Sequence, residues 1–234
     1  MGLEVSRAES LPSDIDSKYE FFKNSWRTKE YLEKGVNQQG KNKSTLSEDT
    51  LNKAGLAIGQ FIKDNNLSLS ILEVMAGNGV GSKLVFDTIT NFDPTSLSTI
   101  TSWKATDLQD WSGIVSDQIN GQISIEFNID SVDTVIKYGS EYNTLLMISP
   151  PPANSDAIGY ADYFAIKEWT QLENSKYIII VGELGASDGS GGMYKYMMTH
   201  KVWKLCVRKL LNKTTDIFGG PCEKEIFIFK KELV

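Results

Sequence analysis

Residues 71–81 read Ile-Leu-Glu-Val-Met-Ala-Gly-Asn-Gly-Val-Gly, an apolar run that carries one acid, Glu73, and then breaks into glycines. A short apolar run bounded by glycine predicts a buried strand that ends in a tight turn. Gly77, Gly79 and Gly81 have no Cβ atom, so backbone N–H groups in such a turn can approach a ligand closely. The stretch therefore predicts a ligand-binding loop at the end of a strand, with a plain tight turn as the alternative.

The spacing of these glycines distinguishes two kinds of nucleotide loop. The dinucleotide fingerprint G-x-G-x-x-G would need its third glycine at position 82, which is Ser82. The spacing here is G-x-G-x-G, with Glu73 four residues before the first glycine. It resembles the first motif of class I S-adenosylmethionine-dependent methyltransferases. The resemblance implies that Glu73 and the loop of Gly77, Gly79 and Gly81 hold the methionine end of the cofactor, S-adenosyl-L-methionine.

Predicted helices and strands alternate along the rest of the chain. Ser47 is a fair N-cap for a helix whose apolar stripe runs from Leu51 to Ile62. Strands are predicted at 70–75, 100–106, 123–127, 142–148, 177–181 and 225–230, and further helices at 84–89 and 193–203. This alternation predicts a doubly wound, mostly parallel α/β sheet. With the methyltransferase resemblance, we expect a seven-stranded Rossmann-like sheet with an antiparallel last strand.

The first 45 residues differ from the rest and are rich in Ser, Lys, Glu, Asn and Gln. Within them the aromatic residues Tyr19, Phe22 and Trp26 have helical spacing. We therefore expect an N-terminal helical extension and linker over residues 1–45 and a methyltransferase-like domain over residues 46–234. Two roles are open for the extension: covering the substrate, or burying its aromatic stripe for stability alone.

Composition excludes several other classes of protein. The formal net charge of −6 disfavours a general nucleic-acid coat. No apolar run approaches the ~20 residues of a membrane span, and the two cysteines and the single histidine, His200, have no metal-ligand spacing. We therefore expect a cytoplasmic protein with no membrane and no metal partner. Basic residues concentrate within 195–213, where we expect a solvated helix face that also carries His200.

Acids follow the second and third predicted strands. Asp107 lies 30 residues after Gly77, and an ionised carboxylate there can accept hydrogen bonds from both hydroxyls of a ribose. A helix cap is the alternative role for Asp107. Asp130 could meet the adenine amino group, although Asn128 and Asp133 compete for that role. Because ligands of doubly wound sheets lie beyond the carboxyl ends of the strands, these acids are candidate cofactor ligands.

The fourth predicted strand runs into Ser149-Pro150-Pro151-Pro152, where proline ends the strand ladder and bares carbonyl groups. The run resembles the [Asn/Asp/Ser]-Pro-Pro-[Tyr/Phe/Trp] motif of methyltransferases that act on planar amino or amide nitrogens. The resemblance implies that Ser149 and the Pro150 carbonyl orient the target nitrogen, with Pro151 beside them. Pro152 replaces the aromatic residue of the motif, so we expect Tyr163 to supply the stacking ring. A proline-stiffened turn is the alternative.

A wider resemblance joins the fourth and fifth strands to the glycine-rich segment that follows. It is to a little-characterised methyltransferase-like group whose members read T-L-L-x-x-W-P-P, then V-Y-x-G-E, then G-G-C-T-G-D. Here Ser149 stands in place of the tryptophan, and the glutamate of the second motif is Glu183. Glu183 could orient or deprotonate a nucleophile, or it could be a surface acid in a flexible lid. The group implies a fold and a cofactor but no substrate.

These features together predict an S-adenosylmethionine-dependent methyltransferase and, through the Ser149 motif, an amino or amide acceptor. The acidic charge favours a small molecule or a protein side chain over duplex nucleic acid as the acceptor. The alternative from a different class is a catalytically inactive binding or scaffolding protein that keeps the fold. A nicotinamide-dependent oxidoreductase is disfavoured by Ser82.

Overall fold

The computed structural model describes residues 46–92, 99–108, 122–150, 160–183, 188–215 and 221–232. The predicted N-terminal extension over 1–45 lies outside the described residues, so that boundary stays a prediction. Pro151 and Pro152 also lie outside the described residues, so their predicted roles stay predictions.

The six predicted strands are present, together with a seventh and with helices that the sequence analysis does not specify. The strands are β1 Leu69–Val74, β2 Ile100–Asp107, β3 Ser124–Phe127, β4 Thr144–Ile148, β5 Tyr177–Gly182, β6 Trp203–Thr215 and β7 Pro221–Lys231. The helices are α1 Glu48–Asn65, α2 Val80–Phe92, α3 Ser131–Tyr138, α4 Ala161–Gln171 and α5 Gly191–Thr199, with a short 3-10 turn at Gly139–Glu141. None of the helices in the described ranges is both long enough and apolar enough to cross a membrane.

The seven strands form one sheet in the order β3-β2-β1-β4-β5-β7-β6. The pairs among β1 to β5 are parallel, and β7 runs antiparallel to both β5 and β6. The predicted seven-stranded, doubly wound sheet with an antiparallel last strand is therefore confirmed. Strand order reverses between β1 and β4, which are hydrogen-bonded neighbours, and this reversal is where such sheets open a crevice.

Two apolar layers cover the sheet because successive side chains of each strand point to opposite faces. On β1, Leu72 and Val74 join the cluster that packs on α3, α4 and α5. Leu69 and Ile71 join the cluster on the other face, under α1 and α2. All four side chains are fully buried, and each contributes about 1.5–3 kcal/mol relative to exposure. A strand that is buried on both faces consists mostly of consecutive apolar residues, and this is why β1 can be predicted from the sequence.

Helix α1 begins and ends with the caps that its sequence predicts. The Ser47 hydroxyl accepts a hydrogen bond from the Thr50 amide at 3.2 Å, which satisfies one of the amides left open at a helix start. At the other end Asn66 is left-handed, with φ of 50°, and its amide bonds back to the last turn. The predicted N-cap is confirmed.

The predicted helix over 193–203 is wrong in its second half. Helix α5 ends at Thr199, His200 caps it, and Trp203 begins β6. Most of the basic residues of this region therefore lie on a strand, where three of them pair with acids on β7 or directly after it. The ion pairs join Lys204 to Glu232, Arg208 to Glu225 and Lys213 to Glu223. Pairing with β7 decides the structure here, because cross-strand partners outweigh a weak local helical pattern.

Candidate functional site

A turn with three left-handed residues follows β1. Met75, Gly77 and Gly79 have φ values of 62°, 59° and 77°. The turn is fixed to the next strand by the Ala76 amide, which donates to the Thr106 carbonyl at 3.0 Å. Glycine adopts this conformation without a steric penalty, whereas a residue with a Cβ such as Met75 pays about 1–2 kcal/mol. The turn therefore stores strain at its first position, at the carboxyl end of β1.

Gly81 differs from the other two glycines of the sequence motif. It lies inside α2 and its φ is not among the positive ones of the described residues. A methyl group placed on it would lie 3.8 Å from Leu51 Cδ2 and 3.9 Å from Ile148 Cγ2, which is ordinary contact. The left-handed positions are thus 75, 77 and 79. The sequence pattern of glycines alone missed Met75, because its residue type gives no sign of a left-handed φ.

Asp107 reaches the glycine turn from the end of β2. Its Oδ2 accepts a hydrogen bond from the Gly77 amide at 2.8 Å, and the side chain is 8% exposed. The contact follows from register, because β1 and β2 are parallel and Val74 pairs with Thr106, one residue before Asp107. The structure therefore brings the predicted ribose acid and the predicted loop together at one edge of the sheet.

Glu73 lies beneath the turn, with 1% of its surface exposed. Trp103 Nε1 donates a hydrogen bond to its Oε2 at 2.8 Å. Burial raises the pKa of the Glu73 carboxyl to about 7, against the lowering effect of the Ser82 and Trp103 donors. The Ser82 hydroxyl is buried beside it without a hydrogen bond of standard geometry. Direct contact of Glu73 with a cofactor stays a prediction, and what the structure shows is a carboxylate that supports the loop from inside the core.

Asp130 follows β3, as predicted, and its carboxylate caps α3. Oδ1 accepts from the amides of Val132 at 2.8 Å and Asp133 at 3.0 Å. The side chain is 4% exposed, and burial raises its pKa, against the lowering effect of the Asp133 amide. The end of β3 is tied to the candidate site because the Ile129 amide donates to the Asp107 carbonyl at 3.3 Å. The adenine role of Asp130 stays a prediction, now beside an observed capping role.

Ser149 and Pro150 follow β4 at the point where strand order reverses. Ser149 is left-handed, with φ of 51°, and its amide donates to the Val181 carbonyl at 2.7 Å. Its hydroxyl donates to Asp188 Oδ1. The Pro150 carbonyl accepts from the Gly189 amide at 2.7 Å. Both groups predicted to hold a target nitrogen are thus already tied to the segment that begins at Asp188.

Asp188 connects the ends of β4, β5 and β7. Besides Ser149, it accepts from the Glu183 amide at 2.8 Å and from Lys224 Nζ at 2.5 Å. Asp188 is fully buried. Burial alone would lower the pKa of Lys224, but the hydrogen bond and the charge of Asp188 raise it above its ordinary value. The pairing of Asp188 with Lys224 could not be predicted from the sequence, because the two residues are distant in the chain and the amino acids that follow β5 show no helical or strand periodicity.

Glu183 directs its carboxylate toward β7. Oε2 accepts from the Cys222 thiol at 2.9 Å, and Oε1 accepts from the Glu223 amide at 3.4 Å. Its position at the end of β5 agrees with the prediction. Its catalytic role stays a prediction, and the present contacts hold it against the first residues of β7.

Tyr163 lies in the core rather than on an open surface. Its ring is 5% exposed and packs edge-on against Tyr196, with the ring centroids 5.3 Å apart. Helix α4 turns it inward because most residues of this helix are buried. The expected stacking of this ring on an acceptor therefore has almost no exposed surface to act through.

Asp162, next to Tyr163, is a buried acid that the sequence did not single out. It accepts from the Ser190 amide at 2.6 Å and from the Ser190 hydroxyl at 2.8 Å. Burial raises its pKa to about 6, against the lowering effect of these donors. Because Ser190 is the N-cap of α5, Asp162 fixes the start of that helix to α4. Aspartate in the first turn of a helix is common, so nothing in the sequence marks this one as buried.

A second concavity lies at the other end of the strands. It has a volume of about 370 Å³ and lies between the last turns of α1 and the strands β5, β6 and β7. Phe61, Tyr177, Cys206 and Lys209 are among its lining residues. None of the predicted site residues lines it. Among the described residues, no group of three or more His, Cys, Asp or Glu side chains is placed to hold a metal ion.

Solved structures similar to this chain are methyltransferases by description. One, described as a class I S-adenosylmethionine-dependent methyltransferase of Listeria monocytogenes, has a TM-score of 0.54 and 12% identity, and the match covers 89% of this chain and 70% of that one. A protein of Pyrococcus horikoshii described as an RNA methyltransferase has a TM-score of 0.50 and 13% identity, with 77% and 85% covered. An S-adenosylmethionine-dependent methyltransferase of Anabaena variabilis has a TM-score of 0.50 and 10% identity, with 86% and 93% covered.

No protein-family model matches the sequence, and no curated protein sequence matches it. At these identities the structural likeness shows the fold. The chain has the Rossmann-like fold of class I S-adenosylmethionine-dependent methyltransferases.

Proposed function

We propose that this protein is an S-adenosylmethionine-dependent methyltransferase whose cofactor lies over the carboxyl ends of β1, β2 and β3. The observation that carries the proposal is the contact between Asp107 Oδ2 and the Gly77 amide, 2.8 Å long. It joins a carboxylate to the glycine turn after β1, the strand that borders the strand-order reversal where such sheets bind nucleotides. Similarity to methyltransferases of the same fold supports the choice of cofactor.

The residues at this edge fit the parts of the cofactor in order along the sheet. The turn of Gly77 and Gly79, after β1, would face the methionine portion, where no Cβ blocks the approach of the backbone. Asp107, after β2, would accept the two ribose hydroxyls. Asp130, after β3, would lie nearest the adenine. Glu73 would support the loop from below through its contact with Trp103.

The cofactor supplies a methyl group on a sulfonium ion, which is already activated for transfer. The protein therefore has to bring a nucleophile into line with that methyl group and to exclude water. The end of β4 is the part of the fold placed for this task, because it adjoins the start of α2: Ile148 Cγ2 lies within 3.9 Å of where a Gly81 side chain would begin. Ser149 and Pro150 follow directly.

We infer that the acceptor carries an amino or amide N–H group. The support is the proton arrangement at Ser149, whose only hydroxyl hydrogen is donated to Asp188, so that toward any other group its oxygen can act only as an acceptor. The Pro150 carbonyl has a second lone pair besides the one used by Gly189. The net charge of −6 favours a small molecule or a protein side chain. RNA is the alternative, because a structural neighbour is described as an RNA methyltransferase.

Calorimetric titration with S-adenosylmethionine, S-adenosylhomocysteine and NAD tests the proposal directly. We expect both adenosyl compounds to bind in the micromolar range, about 8 kcal/mol, and NAD not to bind. Binding of NAD alone would replace the proposal with an oxidoreductase. Failure of all three compounds to bind would reject a nucleotide site at this edge. Binding without methyl transfer to any amino-bearing acceptor, protein or RNA would favour the inactive scaffold.

A further inference from the structure

We propose that Asp188 and Lys224 form a positioning pair whose task is to hold the Ser149 side chain in one rotamer, with its hydroxyl hydrogen directed at Asp188. The biological purpose of that orientation rests on the proposed function, since Ser149 lies where an acceptor would be held. The geometry of the pair itself does not depend on it. Asp188 receives hydrogen bonds from three different parts of the sheet edge: Ser149 after β4, the Glu183 amide after β5, and Lys224 on β7.

The burial of this ion pair sets it apart from the other ion pairs of the last two strands. Asp188 has no exposed side-chain surface and Lys224 has 13%, with Nζ and Oδ2 at 2.5 Å. The neighbouring pair between Lys213 and Glu223 is 66% and 47% exposed. Burying two charges is costly even when they meet, and apolar residues of similar size are often at least as stable. A buried pair at this place is therefore better explained by the geometry that it imposes than by stability.

The backbone is built to admit Asp188. Gly182, the last residue of β5, has no side chain, and a Cβ there would lie 2.7 Å from Asp188 Cβ and 3.0 Å from Oδ2. Any residue other than glycine would push the carboxylate away from Ser149 and from the Glu183 amide. Glycine at this position is thus a second, independent sign that the close approach of Asp188 is required.

The arrangement of hydrogens defines what the pair does to Ser149. A carboxylate that receives the Lys224 ammonium and the Glu183 amide can offer only lone pairs to the serine, so the serine must be the donor. The hydroxyl hydrogen is then directed at Asp188. Toward any other group the serine oxygen can act only as an acceptor, which matches an N–H group and opposes the lone pair of a group without hydrogen.

The test measures the Ser149 side chain by NMR in protein labelled at the serine Cβ, because Hα–Hβ couplings report rotamer populations. In the wild type we expect the couplings of one rotamer. In D188N the new side-chain amide can direct its NH2 group at the serine and its oxygen at Lys224 and the Glu183 amide. The Ser149 hydroxyl then loses the acceptor that holds it, so we expect averaged couplings. K224M should also average them, whereas K224R keeps the charge and should retain one rotamer. K213M is the matched control, because it removes an exposed pair from the same two strands, and it should leave the couplings unchanged.

The results distinguish two roles for the Asp188–Lys224 pair: positioning of the Ser149 side chain, or stabilisation of the fold alone. Urea unfolding of each variant shows whether it is folded, and K224R and K224M answer the question if D188N does not fold. One fixed Ser149 rotamer in folded D188N and K224M would overturn the proposal and leave the pair as a structural brace. Titration of the same samples with S-adenosylhomocysteine separates the two levels. If the variants lose the single Ser149 rotamer but the wild type does not bind S-adenosylhomocysteine, the positioning pair is supported and the methyltransferase is rejected. If the variants keep the single rotamer and the wild type binds S-adenosylhomocysteine, the positioning pair is rejected and the cofactor site is supported.

Discussion

Trp103 Nε1 donates a hydrogen bond of 2.8 Å to Glu73 Oε2 inside the core, one layer below the glycine turn. The two residues stand on neighbouring strands, and Glu73 is 1% exposed. A carboxyl group in this position is costly to ionise, and burial raises its pKa to about 7. The burial of Glu73 therefore makes stability depend on pH in a direction that can be measured.

We expect the free energy of unfolding to fall as the pH rises from about 4.5 to above 7. The folded pKa of Glu73 lies above its unfolded value of 4.5, so its contribution is fully present below pH 4.5 and is lost as the pH passes through about 7. The size of the effect is about 3 kcal/mol. Urea unfolding at pH 5 and pH 8.5 measures it. In E73Q this part of the pH dependence should disappear, whereas E173Q, in an exposed turn, should keep it.

Replacement of Asp107 with alanine should weaken binding of S-adenosylhomocysteine by roughly 10- to 100-fold. Loss of a charged hydrogen-bond acceptor costs about 1.5–3 kcal/mol, and the Gly77 amide also loses its partner. Calorimetry measures the affinity, and D64A, on the exposed face of α1, is the control. Unchanged affinity in D107A would mean that this carboxylate only braces the turn.

Gly79 and Gly81 should respond in opposite ways to alanine. Gly79 has a φ of 77°, so G79A should destabilise the protein by about 1–2 kcal/mol. Gly81 lies in α2, and the nearest atoms to a new Cβ are 3.8 Å away, so G81A should be neutral or stabilising by up to about 1 kcal/mol. Thermal unfolding distinguishes the two. A large loss of stability in G81A would show that the space between Gly81 and the side chains of Leu51 and Ile148 is too small for a methyl group.

Substitution of Asp162 with leucine should cost about 3–5 kcal/mol, because it leaves the Ser190 amide and hydroxyl and the Tyr163 amide without a buried acceptor. The loss of stability should be largest at the start of α5, where Ser190 lies. Hydrogen exchange of the amides in the first turn of α5 should speed up more than that of β1 or β4. Uniform acceleration across the sheet would show that α5 and the sheet open together. S190A removes the cap and the hydroxyl that donates to Asp162 but keeps the contact of the Ser190 amide, so it should cost less, about 1–2 kcal/mol.

The sequence predicts those parts of the fold and site that depend on strand ends. Because parallel strands place their carboxyl ends at one edge, a glycine turn after β1 and an acid after β2 had to lie close together, and Asp107 does contact Gly77. The contact between Asp188 and Lys224 could not be predicted in this way. It joins Asp188, which lies between β5 and α5, to an antiparallel strand, and no local sequence pattern encodes that pairing.

Side-chain direction was the other quantity that the sequence could not provide. Tyr163 lies on α4, which follows β4, and turns into the core toward Tyr196. The sequence predicts Trp203 at the end of a helix, whereas it begins β6 and its indole N–H donates to Thr170 on α4. Both outcomes depend on which face an element buries, and this is decided by tertiary packing against neighbours that are distant in the chain.

The two outer strands of the sheet also bear on how the protein behaves in a concentrated solution. A strand at the margin of a sheet can pair with a strand of another molecule and start aggregation. At one margin β3 has only four residues, which is too short for a stable template. At the other, β6 is 13 residues long, but Lys204, Arg208, Lys209 and Lys213 are exposed along it. Charged side chains on an edge strand must lose water when a second strand pairs with it, so charge on one side and shortness on the other both act against growth of the sheet.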